Sequence, residues 1–303
     1  MSHKDYFISF GAGLVAALMT LGLSILSPIT FLLAYFIPLP FFISALVYGF
    51  YGTVIASTSG SVLVAIFYGP SAAIGFLIMN ACPALWHAKQ NIINENQKNI
   101  GKIISEISFA GIILFLISSI FFSEKFISFA ETFNNHIINN FDHKIAIPTT
   151  ILNLFPSIII SSWITILILN LIISKKIINN FKISSHVNSY EFVKTSLPRW
   201  IVYLFIIFLI FSAILKDISG IWAQSMTLIL SVPITLQGLA IIQFKLIKLT
   251  SGKFLTGLFY IIILFIPFIL AIIAAIGVLD HFYNFRKLNL NNFGRMFVDK
   301  KQN

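Results

Sequence analysis

Few side chains in this sequence could do chemistry inside an apolar solvent. Asn80, followed by Trp86 and His87, and Gln237, preceded by Pro233 and followed by Gly238, are polar groups set in long runs of Leu, Ile, Phe and Ala. An amide in hydrocarbon must find hydrogen-bond partners, either on another helix or on a bound molecule. The hydroxyl patch Ser57-Thr58-Ser59 with Ser61 can bond to its own preceding turn or across a helix interface. The candidate ligand-binding residues are therefore Asn80, Trp86, Gln237 and Ser57. Each has a plainer alternative: interhelical bonding for the amides and the serine, and anchoring at headgroup level for Trp86 and His87. Asp280 and Arg286 bracket the end of the last apolar run, six residues apart, and form a candidate structural clamp.

No catalytic residues are predicted. The sequence contains no G-x-S-x-G, Walker-type loop or H-E-x-x-H. It also offers no close carboxylate pair within a span, and no ionisable residue of the kind an ion-coupled pump or an intramembrane protease carries there. The expectation is a protein that is not an enzyme. The single cysteine, Cys82, excludes an internal disulfide and has no second Cys or clustered His at metal-ligand spacing, so no metal and no cofactor is expected.

The elements that must position these residues are membrane helices. Between Tyr6 and Ala88 the chain runs 83 residues without Asp, Glu, Lys or Arg. A soluble fold needs charged faces, whereas a bilayer penalises each charge near its centre by a few kcal/mol. Hydrophobic residues make up 58% of the chain and charged residues 10%, with a mean hydropathy of +0.94. A soluble domain carries about 25% charged residues. The net charge of +10 sits in short segments beside apolar runs, which points to a lipid bilayer rather than nucleic acid as the partner.

The fold class expected is all-α, a polytopic transmembrane helical bundle of about eight or nine spans, several kinked by proline. The nine segments are 6–26, 29–49, 52–68, 71–87, 107–123, 149–174, 199–215, 221–246 and 254–279. One integral membrane domain over 1–303 is predicted: a tightly packed charge-free block over 6–88, the remaining bundle over 107–283 and a polar tail over 286–303. The opening run reads as an uncleaved first span.

Three basic connections belong inside: Lys89, Lys98 and Lys102; then Lys175, Lys176, Lys182 and Lys194; then Lys245, Lys248 and Lys253. Four spans before Lys89 also place the N-terminus in the cytoplasm. A single ninth span would send Arg286, Lys287, Arg295, Lys300 and Lys301 outside, against the rule, so one segment either fails to cross or hides an extra turn. Apolar spacing also predicts interfacial helices at 124–141 and 187–197. Ala12 and Ala16 on one face of the first helix permit close helix approach, for internal packing or for docking a partner.

The block from Pro38-Leu39-Pro40 through Gly69-Pro70 to Pro83-Ala84-Leu85-Trp86 resembles the N-terminal part of the DUF2232 or YybS-like bacterial membrane proteins. Leu197-Pro198-Arg199-Trp200, Leu236-Gln237-Gly238-Leu239-Ala240, Gly277-Val278-Leu279-Asp280 and Phe285-Arg286 resemble that family's later landmarks. The resemblance implies no established activity. The family is similar in helical layout to the substrate-binding S components of energy-coupling-factor transporters. In those, a small-residue stripe on the first helix docks a transmembrane subunit coupled to ATPases, a place comparable to Ala12 and Ala16. Two functions follow as expectations: a small-molecule binding or transport component of the cell membrane, or a non-transporting scaffold of the envelope.

Overall fold

The computed structural model describes residues 3–25, 27–93, 100–121, 149–181 and 192–286, with positions 128, 132 and 183. The helix expected over 124–141 lies outside the described residues, apart from helical positions 128 and 132, as does the tail 287–303. Of the segment 187–197, residues 192–194 form a 3-10 turn and 195–198 are irregular.

Among the described residues every regular element is helical. The α-helices are α1 (His3–Gly22), α2 (Pro28–Ala34), α3 (Leu39–Tyr68), α4 (Pro70–Phe76), α5 (Cys82–Ile93), α6 (Ile100–Phe121), α7 (Thr149–Asn153), α8 (Phe155–Asn180), α9 (Arg199–Ile214), α10 (Asp217–Ile247), α11 (Gly252–Phe265) and α12 (Ile269–Tyr283). A π-helical stretch, Leu77–Ala81, joins α4 to α5. Among the described residues, six helical stretches are long and apolar enough to cross a membrane: His3–Ile25, Pro28–Tyr68, Pro70–Gln90, Ile100–Phe121, Phe155–Asn180 and Asp217–Ile247. The protein is a multi-pass helical membrane protein.

Several prolines start helices rather than kink them. Pro28, Pro40, Pro70 and Pro156 occupy the first turns of their helices, where the missing N–H would have had no intrahelical partner. Ser27 strengthens one of these starts through a reciprocal capping box with Thr30. Pro233 lies inside α10, and Pro83 within the continuous helical stretch Pro70–Gln90.

The stretch Pro28–Tyr68 contains a reversal. Gly49 sits at φ 67°, ψ −156°, in the left-handed half of conformational space that a side chain disfavours. A straight helix would hold residues 41 and 60 about 28 Å apart. Yet a Cβ on Gly60 would lie 3.1 Å from the Phe76 ring, and that same ring meets Phe41 edge-on at 5.6 Å between centroids. The arms 39–48 and 50–68 therefore fold back on each other at Gly49, matching the two separate spans read from sequence.

The arm 50–68 runs parallel to α1. Ser59 Oγ donates to Phe10 O at 3.0 Å, and Tyr68 OH donates to Leu21 O at 3.2 Å. A Cβ on Gly13 would lie 2.0 Å from Ala56 O, so only glycine permits this approach. Ala16 and Ala17 are fully buried in the same contact region and Ala12 is half-buried. The small-residue face of the first helix is occupied from within the chain, by α3.

At the C-terminal end the expected ninth span is two helices. Ile266 leaves helical geometry (φ −126°, ψ 76°), and Pro267 cannot continue the hydrogen-bond ladder. α10 and α12 cross at two glycines: a Cβ on Gly238 would lie 2.0 Å from Ile273 O, and one on Gly277 2.2 Å from Ile234 O. Beyond this crossing Lys245 Nζ lies 5.3 Å from the Phe285 ring centroid. Lys245 is seven residues past Gly238 and Phe285 eight past Gly277, so α10 and α12 run in the same direction. α11 must run back between them, and Tyr260 OH on α11 reaches Gln243 Oε1 of α10 at 3.1 Å. A turn therefore lies at Ile266–Phe268, and it returns Arg286 to the end of the bundle that carries Lys245. α11 and α12, with 14 and 15 residues, are about 21 and 22 Å long, shorter than a hydrocarbon core of about 30 Å.

Candidate functional site

The most polar buried cluster forms where α10 and α12 cross. Gly238 and Gly277 bring the two backbones together, so Gln237 can reach across from α10. Its Nε2 donates to Gly277 O at 3.2 Å and to Asp280 Oδ2 at 3.4 Å, and its Oε1 accepts from Leu197 N at 3.0 Å. Arg286 closes the cluster, with Nη2 donating to Asp280 Oδ2 at 2.7 Å and Nη1 to Val193 O at 2.8 Å. The αL geometry of Asn284 (φ 44°, ψ 56°) ends α12 and turns the chain so that the guanidinium comes back over Asp280. Gln237, Asp280 and Arg286 are all at most 6% exposed. Five chain segments meet here: the 3-10 turn at 192–194, the 195–198 connection, α10, α12 and the start of the tail. Asp280 Oδ1 and Arg286 Nε have no hydrogen-bond partner among the described residues.

Residues 143–281 match the family described as Predicted membrane protein (DUF2232). No curated protein and no solved structure matches the chain. The DUF2232 segment holds Val193, Leu197, Gln237, Gly277 and Asp280, while Arg286 lies five residues beyond it. Sequence motifs that are 40 to 90 residues apart thus become one physical object: the landmarks at 197–200, 236–240, 277–280 and 285–286 all contribute to the cluster or border it.

The other candidate ligand residues are not brought together with Gln237. Ser57 is buried and its Oγ donates to Thr53 O one turn back, at 2.7 Å. Asn80 is half-buried and its Nδ2 donates to Phe76 O at 3.2 Å, within the π-helical stretch. Trp86 is 57% exposed on the outer face of α5. A groove of about 410 Å³ between α1 and α3, lined by Phe10, Leu14, Ile55, Thr58, Ser59 and Val62 among others, contains none of the four.

A second polar feature was not anticipated from sequence. α8 presents Trp163 and Asn170, seven residues apart and so on one helical face, to two interruptions in neighbouring segments. Trp163 Nε1 donates to Met79 O at 2.8 Å inside the π-helical stretch, and Asn170 Nδ2 donates to Tyr35 O at 2.7 Å where α2 gives way to the turn before α3. Irregular backbone at membrane depth leaves carbonyls that must be satisfied by protein or by a polar cavity. α8 satisfies two of them. Asn170 is 2% exposed, and its Oδ1 has no hydrogen-bond partner among the described residues.

The helices reach further into the basic connections than the expected spans do. α8 continues to Asn180, so Lys175 lies inside it at 5% exposure, and His87 within the Pro70–Gln90 stretch is 4% exposed. The signal was present in the sequence: Leu171, Ser174, Lys175 and Ile178 continue the buried stripe of α8 at helical spacing past the lysine. α6 likewise begins at Ile100, which places Glu106 half-buried in its second turn.

Proposed function

We propose that this protein is a non-enzymatic component of the cell membrane that binds a small, largely uncharged molecule as part of a transport system. The observation that carries this reading is the face of α8 on which Trp163 and Asn170 meet two interrupted segments. Membrane transporters commonly build substrate sites where helices are broken near the bilayer midplane, because freed backbone groups and a few side-chain amides can exchange internal partners for a ligand. Orientation follows from charge: both chain ends and the three basic connections lie on the cytoplasmic side. The Gln237–Asp280–Arg286 cluster then serves as the clamp that holds the C-terminal helices in place.

The scaffold reading is favoured by a different observation, that Ser57, Asn80 and Gln237 all direct polar atoms into the protein itself. Purification from native membranes, with identification of bound proteins and extractable small molecules, separates the two. A retained small molecule lost on Asn170→Ala, in a sample that still purifies as a monodisperse species, supports the transport reading. Stable capture of other membrane proteins with no small molecule supports the scaffold and overturns it.

A further inference from the structure

We propose that the corner where α10 and α12 end binds the headgroups of anionic phospholipids. Lys245 and Lys248 are exposed at the end of α10, and the fold brings Phe285, just past the end of α12, under Lys245. Asp280 is withdrawn from the surface by its pairing with Arg286, so its negative charge does not offset the lysines there.

Two exposed ammonium groups stand over aromatic rings at this corner. Lys245 Nζ is 5.3 Å from the Phe285 centroid, and Lys248 Nζ is 4.0 Å from that of Phe244. A ring face holds a cation without neutralising it, leaving the opposite hemisphere free for a phosphate oxygen. Ile247, Leu249 and Phe254 are exposed beside them, apolar surface that suits the acyl end of the same lipid. A headgroup with net negative charge satisfies this arrangement. A zwitterionic headgroup brings its own cation and gains less.

Full-length protein in detergent, titrated with fluorescently labelled phosphatidylglycerol and separately with labelled phosphatidylcholine, tests the proposal. Phosphatidylglycerol should bind more tightly, and Lys245→Gln should weaken it about five-fold, the equivalent of about 1 kcal/mol per lysine near an anionic surface. Lys245→Arg should retain binding. Lys216→Gln, the same charge loss at the opposite end of α10, should leave it unchanged. Equal binding of the two lipids, an equal loss with Lys216→Gln, or displacement of the lipid by inorganic phosphate would overturn the proposal.

Discussion

Breaking the ion pair at the α10–α12 crossing is the sharpest test of how the C-terminal half is held. Asp280→Ala leaves the Arg286 guanidinium with Val193 O as its remaining partner, at a site where the charge is almost wholly removed from water. Arg286→Met leaves the carboxylate facing only the long 3.4 Å contact from Gln237. Removing one member of a buried pair costs about 3 to 5 kcal/mol, whereas replacing both members by apolar groups of similar volume is often close to neutral. Each single substitution is therefore expected to destabilise by about 3 kcal/mol, and Asp280→Leu with Arg286→Met by clearly less than either. At about 2 to 4 °C per kcal/mol for a chain approaching this size, the single variants should melt roughly 6 to 12 °C lower. Thermal unfolding in detergent, followed by intrinsic fluorescence, provides the readout. Additive losses, with the double variant the least stable, would show that the two residues do not act as a unit and would refute the argument.

The glycine crossing yields a paired prediction. Gly238→Ala places a methyl 2.0 Å from Ile273 O and must push the helices apart by more than 1 Å, costing about 1 to 3 kcal/mol or more, while Gly257→Ala on α11 meets nothing within 4 Å and should be neutral or gain about 0.5 to 1 kcal/mol; melting temperatures decide both. Asn170→Ala should cost about 1 to 3 kcal/mol through the Tyr35 carbonyl it leaves bare, and Trp163→Phe about 1 kcal/mol, both measurable by denaturant titration. In a Cys82→Ala background, membrane-impermeant thiol labelling should reach Lys248→Cys and Phe285→Cys from one side of the membrane and Lys216→Cys from the other. Labelling of positions 248 and 285 from opposite sides would exclude the C-terminal hairpin.

Much of the architecture follows from solvent logic that is visible residue by residue. The run without charge over 6–88 can only be dissolved in lipid, and Gly49 and Gly69-Pro70 mark its internal reversals. The clash between a single ninth span and the basic tail also pointed to a missing turn, because the charge rule is a constraint on parity. It could not place that turn, since Pro267 inside an apolar run reads equally as a kink or as a reversal. Only the contact geometry of Gly238, Gly277 and Lys245 decides. The candidate site was less legible. Asp280 and Arg286 are near in sequence, but Gln237 is 43 residues from Asp280 and Val193 is 93 from Arg286. Asn170 was hidden by its surroundings, since an amide in an Asn-rich sequence carries little signal until its partner, the carbonyl of Tyr35, is known.

The two ends of the chain solve the same association problem by different means. In lipid there is no hydrophobic gain from pressing one apolar helix against another, so specificity must come from close backbone approach or from polar groups that have no alternative partner. α1 and α3 rely chiefly on the first: Gly13 and Gly60 let the backbones touch, and Ser59 adds one bond to Phe10 O. α10 and α12 use both, with a glycine crossing of the same closeness and, on its margin, a buried carboxylate, guanidinium and amide. The additional polar lock is needed where the elements are short. α11 and α12 each bury too little length to be fixed by packing alone, and α11 has almost no buried surface. Fastening Arg286 to Asp280 and to Val193 O ties the end of this hairpin to the connection before α9, so the register of α12 against α10 is set at both the crossing and the tip.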